Sequence, residues 1–220
     1  MKNKFVIGLF CLLAGCGPNR DFEGKNSFGS QGSAGATTST SSGYVEPEWP
    51  IGDAGVGLSQ VIPEGLEWMG YKENQESEKP VPLKPRDWYD PTGESGINAV
   101  LVITAKHQCD LCEKEADLIP NGLAAWNSMN MGIKVITLIV TNPEGKVATP
   151  DTALAWKKDH YHVDAAVGAD PLAIMLPDAV FAMPYHTIVD PRTMRVIGTQ
   201  EGIVNDYKML EDLASANLQK

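Results

Sequence analysis

Residues 97–112, I-N-A-V-L-V-I-T-A-K-H-Q-C-D-L-C, constrain the chain more than any other stretch. From Ala99 to Thr104 the residues are apolar or β-branched without polar alternation, which predicts a strand covered on both faces. Two cysteines three apart follow at once, and the next residues, Glu113-Lys114-Glu115-Ala116-Asp117-Leu118-Ile119, predict a helix. Cys109 and Cys112 are thereby placed at a helix N-terminus, where unpaired backbone N–H groups favour a thiolate.

The other two cysteines have different surroundings. Cys11 lies in an apolar run from Phe5 to Leu13 behind Lys2 and Lys4, the layout of an export signal and too short to span a bilayer. Leu13-Ala14-Gly15-Cys16 resembles the lipobox of bacterial lipoproteins. That resemblance implies removal of residues 1–15 as a signal peptide and lipidation of Cys16, with an ordinary secretory cleavage near Gly15 or Gly17 as the alternative. Gly17 is not the aspartate of an inner-membrane retention signal, so the expected location is the bacterial cell envelope, lipid-anchored in the outer membrane and facing the periplasm. Cys109 and Cys112 alone are then left to do thiol chemistry in an oxidising compartment.

Loss of Lys2 and Lys4 with the signal takes the formal charge from −10 to −12. So acidic a balance argues against nucleic acid and anionic lipid as partners, since both need Lys/Arg surfaces. Residues 16–43 are mostly Gly, Ser, Thr and Asn and read as a flexible tether, with a reach on the order of 30 Å by random-coil scaling.

Residues 44–220 hold one domain. In 44–96, Trp49, Trp68, Tyr71, Trp88 and other apolar residues are interleaved with seven prolines, which predicts short strands and turns, with 72–79 a solvated loop. A helix is expected over 112–129 from Ala116, Ile119, Leu123 and Trp126, kinked at Pro120. Residues 133–140 predict a second apolar strand, and Thr149-Pro150-Asp151 the cap and first turn of a helix carrying Trp156. Residues 170–178 fit either a short helix or a loop burying Leu172, Ile174, Met175 and Leu176. A strand over 183–190, a turn at Asp190-Pro191-Arg192-Thr193, a return strand over 194–197 and an amphipathic helix over 206–219 complete an α/β order.

A dithiol at a strand-to-helix corner, a proline before a later strand, a hairpin and a terminal helix together resemble the thioredoxin fold over 97–220. That fold is a central mixed β-sheet flanked by helices, here with an irregular, partly β extension at 44–96. The closer resemblance is to membrane-tethered thiol–disulfide oxidoreductases of the TlpA type. It implies Cys109 as nucleophile and Cys112 as resolving thiol. It implies Met183 and Pro184 as a cis-proline site that binds the substrate chain, and Glu115 as an acid that accepts the proton of Cys112, unless Glu115 is a solvent-exposed helix residue like Glu113. Exported protein thiols or disulfides are the implied substrates, with a membrane-bound redox partner and no cofactor or metal. His107 is either an electrostatic aid to the Cys109 thiolate or incidental. Gln108 stands where the family usually has tryptophan and Ile103 where thioredoxins have a buried aspartate. Asp110 opposes a thiolate beside it, so the redox direction stays open.

Three other readings stand beside this one. A thiol peroxidase of peroxiredoxin type shares the fold, but the residues before Cys109 lack the proline of its P-x-x-x-T/S-x-x-C setting. A copper carrier similar to the Sco proteins would use Cys109, Cys112 and His186, although that family spaces its cysteines one residue further apart. A static disulfide in a binding module is disfavoured because so short a loop adds little stability. Trp126 and Trp156 read as core or rim aromatics.

Overall fold

The computed structural model describes residues 46–219, apart from Ala179 and Asn205. The expected signal peptide, the lipidation site Cys16 and the tether lie outside the described residues. In chain order the elements are β1 (Trp68–Tyr71), β2 (Val81–Leu83), a 3-10 turn (Pro85–Trp88), β3 (Ala99–Ala105), α1 (Asp110–Ala116), α2 (Ile119–Ser128), β4 (Ile133–Ile139), α3 (Pro150–Asp159), β5 (Ala166–Ala169), β6 (Tyr185–Asp190), β7 (Arg195–Glu201) and α4 (Lys208–Leu218). The strands form one mixed sheet in the order β2-β1-β5-β4-β3-β6-β7.

All seven residues of β3 are buried, as its unbroken apolar run requires. β3 pairs parallel with β4 and antiparallel with β6, setting Leu101 opposite Ile188 and Ile103 opposite His186. The two faces of the sheet are covered differently. On the face of Leu101 and Ile103 lie Leu123 and Trp126 of α2 and Leu210 and Ala214 of α4. Towards the dithiol end, Cys112 and Ala116 of α1 and Ala153 and Trp156 of α3 continue this layer. Val100, Val102, Ile136 and Leu138 face the other way and are covered by Val61, Ile62, Trp88, Ile97, Met175 and Met194. The proline-rich 46–96 segment therefore supplies much of the layer over the second face, with Met175 and Met194 from later in the chain, and its β1 and β2 extend the sheet beyond β5.

Four elements depart from expectation. The helix expected to bend at Pro120 is interrupted at Asp117 and Leu118, with Pro120 in the first turn of α2. A proline has no N–H for the carbonyl four residues back, here Ala116, so the turn cannot continue through it. β5 was not legible: Ala-Val-Gly-Ala is short and nearly featureless, and only β1 and β4 on either side make it a strand. Residues 170–178 are turns in which Met175 is buried while Leu172 is 78% exposed. The periodicity of 206–219 puts Tyr207, Leu210, Leu213, Ala214 and Leu218 on one face, but in α4 the inward face is Leu210, Ala214 and Asn217, with Leu218 exposed and Asn217 donating to the carbonyl of Asn98 and to Asp190.

Candidate active site

β3 delivers the chain to the rim of the sheet, and a left-handed Gln108 (φ 57°) turns it into α1. Cys109 is the N-cap residue of α1, its Sγ accepting from the backbone N–H of Cys112 at 3.2 Å. The two cysteines are joined as a disulfide with Cα atoms 5.2 Å apart. Their exposures differ: Cys109 is half-buried and Cys112 is only 2% exposed. A thiol at position 109 meets solvent, whereas one at 112 meets only the interior.

The Met183-Pro184 peptide bond is cis, and the Met183 carbonyl oxygen lies 3.8 Å from Cys109 Sγ. The loop before it is held by Glu201 of β7, whose carboxylate accepts from the backbone N–H groups of Phe181 and Ala182, both at 2.9 Å. Met183 and Pro184 thus stand beside the dithiol although they are distant in sequence.

Glu115 is 1% exposed, unlike Glu113 two residues before it, which lies on the other side of the helix and faces solvent. Its Oε1 accepts from Tyr207 Oη at 2.8 Å and from the backbone N–H of Val204 at 3.1 Å. Its Oε2 lies 2.7 Å from His186 Nε2, and His186 Nδ1 lies 3.2 Å from the carbonyl of Gln200. That carbonyl can only accept, so Nδ1 carries a proton and a further proton is held between Nε2 and Oε2. Burial, reinforced by the neighbouring Glu115 carboxylate, pushes the Tyr207 hydroxyl far up, so it stays a donor at any working pH. One carboxylate joins α1, the strand after the cis-proline, and the segment leading into α4.

His186 is therefore engaged at both nitrogens, and among the described residues no group of three or more His, Cys, Asp or Glu side chains is placed to hold a metal ion. His107 packs edge-on against Trp156 at 5.0 Å between ring centroids, and burial pulls it down from its ordinary value, so it is neutral at pH 7. It brings no positive charge to Cys109. Gln108 reaches the carbonyl of Pro143, and Asp110 is exposed.

Beside Cys112 is a small cavity of about 10 Å³. Ile103 lines it, and Glu115, Thr137, Trp156 and His162 are among its other lining residues. The sequence reading missed His162, Thr137, His186 as a partner of Glu115, Tyr207 and Glu201. Of these the sequence marks only His186, just after Pro184, and Tyr207, on the apolar face of the terminal helix; nothing in the spacing of the others marks them.

No model of a known protein family matches the sequence, and no curated protein matches it. Solved structures do match. The reduced 2-Cys peroxiredoxin of Plasmodium vivax is 13% identical over 74% of this chain and 82% of its own, with a TM-score of 0.52. The mitochondrial 2-Cys peroxiredoxin of Plasmodium falciparum is 12% identical over 74% of this chain and 94% of its own, again at 0.52. The chain has a thioredoxin-like fold. The thioredoxin domain of a thiol-disulfide oxidoreductase from Bacteroides vulgatus also aligns, at 15% identity over 72% of this chain and 98% of its own, with a TM-score of 0.48. Among the described residues no helix is long and apolar enough to cross a membrane.

Proposed function

We propose that the protein is a thiol–disulfide oxidoreductase acting on exported proteins, held at the cell envelope by lipid on Cys16. The observation that carries this reading is the asymmetric disulfide: Cys109 half-buried beside the Met183 carbonyl, Cys112 enclosed beneath it. In a thiol-exchange cycle the outer sulfur meets the substrate and the inner one closes the ring. The reduced Cys109 thiolate attacks a substrate disulfide, forming a mixed disulfide and expelling one substrate thiolate. Cys112 then loses its proton and attacks Cys109 Sγ, the mixed disulfide breaks, and the second substrate thiolate leaves. Two electrons and two protons pass to the substrate, and the reverse sequence oxidises a substrate dithiol. A membrane-bound redox partner resets the pair.

Met183 and Pro184 present the peptide edge along which an extended substrate chain lies, and Glu201 fixes that edge by taking up the N–H groups before it. Glu115 acts as a positioning residue. Its oxygens are already bonded to Tyr207, Val204 and His186, so it sets α1 against the cis-proline strand instead of serving as a free base.

The test is trapping. Cys112→Ser is expected to accumulate mixed disulfides with exported proteins through Cys109, and Cys109→Ser to lose exchange with a model disulfide. A Cys112→Ser protein that forms no mixed disulfide overturns the proposal.

A further inference from the structure

We propose that His162 is the positioning residue for the reduced Cys112 thiol, accepting its hydrogen bond through a single water held in the cavity beneath the dithiol. The inference rests on the exchange reading above, and concerns where the inner thiol puts its proton once the disulfide opens.

Four observations converge on His162. It is 1% exposed, and its Nε2 lies 2.9 Å from the carbonyl oxygen of Ala116. A carbonyl only accepts, so Nε2 carries the ring proton and Nδ1 is a bare acceptor. That carbonyl is free because the residue four positions on is Pro120, which has no N–H to give it. The break in the helix and the tautomer of the histidine are one feature. Second, His162 Nδ1 is buried with no hydrogen-bond partner among the described residues. A buried acceptor left unpaired costs about 1–3 kcal/mol, so its persistence asks for a partner.

Third, His162 and Cys112 line the same cavity, together with Thr137 and Trp156. Thr137 Oγ1 and Trp156 Nε1 are likewise buried without partners. A space of this size fits one water, and a buried water needs two to four polar partners. Trp156 N–H donates to it, Thr137 bonds to it, and it donates to His162 Nδ1. Fourth, the histidine is held from behind: Lys157 Nζ donates to the backbone carbonyls of His162, Val163 and Ala165. Burial brings His162 down to about 4, so Nδ1 stays bare at neutral pH.

In the disulfide form Cys112 has no proton to donate. In the dithiol form its S–H donates to the water, whose own O–H already points to His162. No proton moves onto the imidazole. The extra bond exists only in the reduced state, so it favours the dithiol.

The experiment measures the dithiol–disulfide equilibrium of the full chain against a glutathione buffer for the wild type, His162→Phe and His162→Gln. One neutral hydrogen bond corresponds to about a fivefold shift in the equilibrium constant towards the disulfide in His162→Phe, about 20 mV more reducing. His162→Gln is expected to stay near wild type, because its amide N–H reaches the Ala116 carbonyl and its oxygen replaces Nδ1. In wild-type protein the nitrogen NMR signal of His162 Nδ1 is expected to strengthen its hydrogen-bonded character on reduction. Equal potentials in all three proteins with an unmoved Nδ1 signal overturn this inference alone, as does an equal shift in Phe and Gln variants. A wild-type pair that never equilibrates with glutathione overturns the exchange reading with it. The Nδ1 measurement needs no variant, so a His162→Phe protein that does not fold leaves the test intact.

Discussion

Glu115 Oε2 and His186 Nε2 lie 2.7 Å apart with both side chains 1% exposed, and this pair ties the dithiol helix to the strand that follows the cis-proline. Their separation in the sequence is 71 residues, and the register of β3 against β6 closes it by setting His186 beside Ile103 on the helix-covered face.

Removing one member leaves the other buried without its partner. His186→Leu is therefore expected to cost on the order of 3–5 kcal/mol in urea unfolding. Glu115→Gln costs far less, since the amide accepts from Val204 and Tyr207 and donates to a neutral His186. The Glu115→Leu, His186→Leu double variant is expected to lose less than the sum of the singles, and strict additivity would remove the coupling.

Acid stability carries a signature of His162. Its folded value of about 4 lies below the ordinary 6.5, with burial the main cause. Above pH 6.5 neither state binds the proton. As pH falls from 6.5 towards 4 the unfolded chain takes it up first, so folding stability drops, by roughly 3 kcal/mol in all for this one group. The wild-type minus His162→Gln difference in unfolding free energy is expected to slope across that window and flatten on both sides. A flat difference from pH 7 to 4 contradicts the buried neutral imidazole.

Gly132 turns α2 into β4 at φ 65°, where a Cβ would sit 2.0 Å from the carbonyl oxygen of Gly96. Gly132→Ala strains the backbone and pushes on the loop before β3. A loss of at least about 2 kcal/mol is expected by thermal unfolding, with the potential of the dithiol unchanged because the site lies at the other end of β3. A neutral Gly132→Ala would show that the 96–98 segment yields freely.

Peroxide separates the exchange reading from the peroxidase alternative. Among the described residues Cys109 Sγ accepts from the Cys112 N–H and has the Met183 carbonyl oxygen, itself an acceptor, 3.8 Å away, which makes poor provision for a peroxide oxygen. Reduced protein mixed with hydrogen peroxide in a stopped-flow instrument is expected to oxidise no faster than free cysteine. Oxidation orders of magnitude faster would favour the peroxidase.

Sequence by itself determined what short-range chemistry determines. The unbroken apolar run of β3 required a doubly covered strand, the spacing of Cys109 and Cys112 put both sulfurs on the first turn of a helix, and Pro184 marked the entry to β6. Pro120 announced a break, though the chain stops there instead of bending. Only the tertiary structure decided the rest, because each remaining feature is a contact across a large sequence separation. β5 is a strand only because β1 and β4 flank it, the second face of the sheet is closed largely by the proline-rich segment, and Glu115 is an interior hub only because His186, Val204 and Tyr207 converge on it. The same holds for His162, an ordinary loop histidine in the sequence. Burial and the carbonyl that Pro120 leaves free turn it into a bare acceptor beneath the inner cysteine.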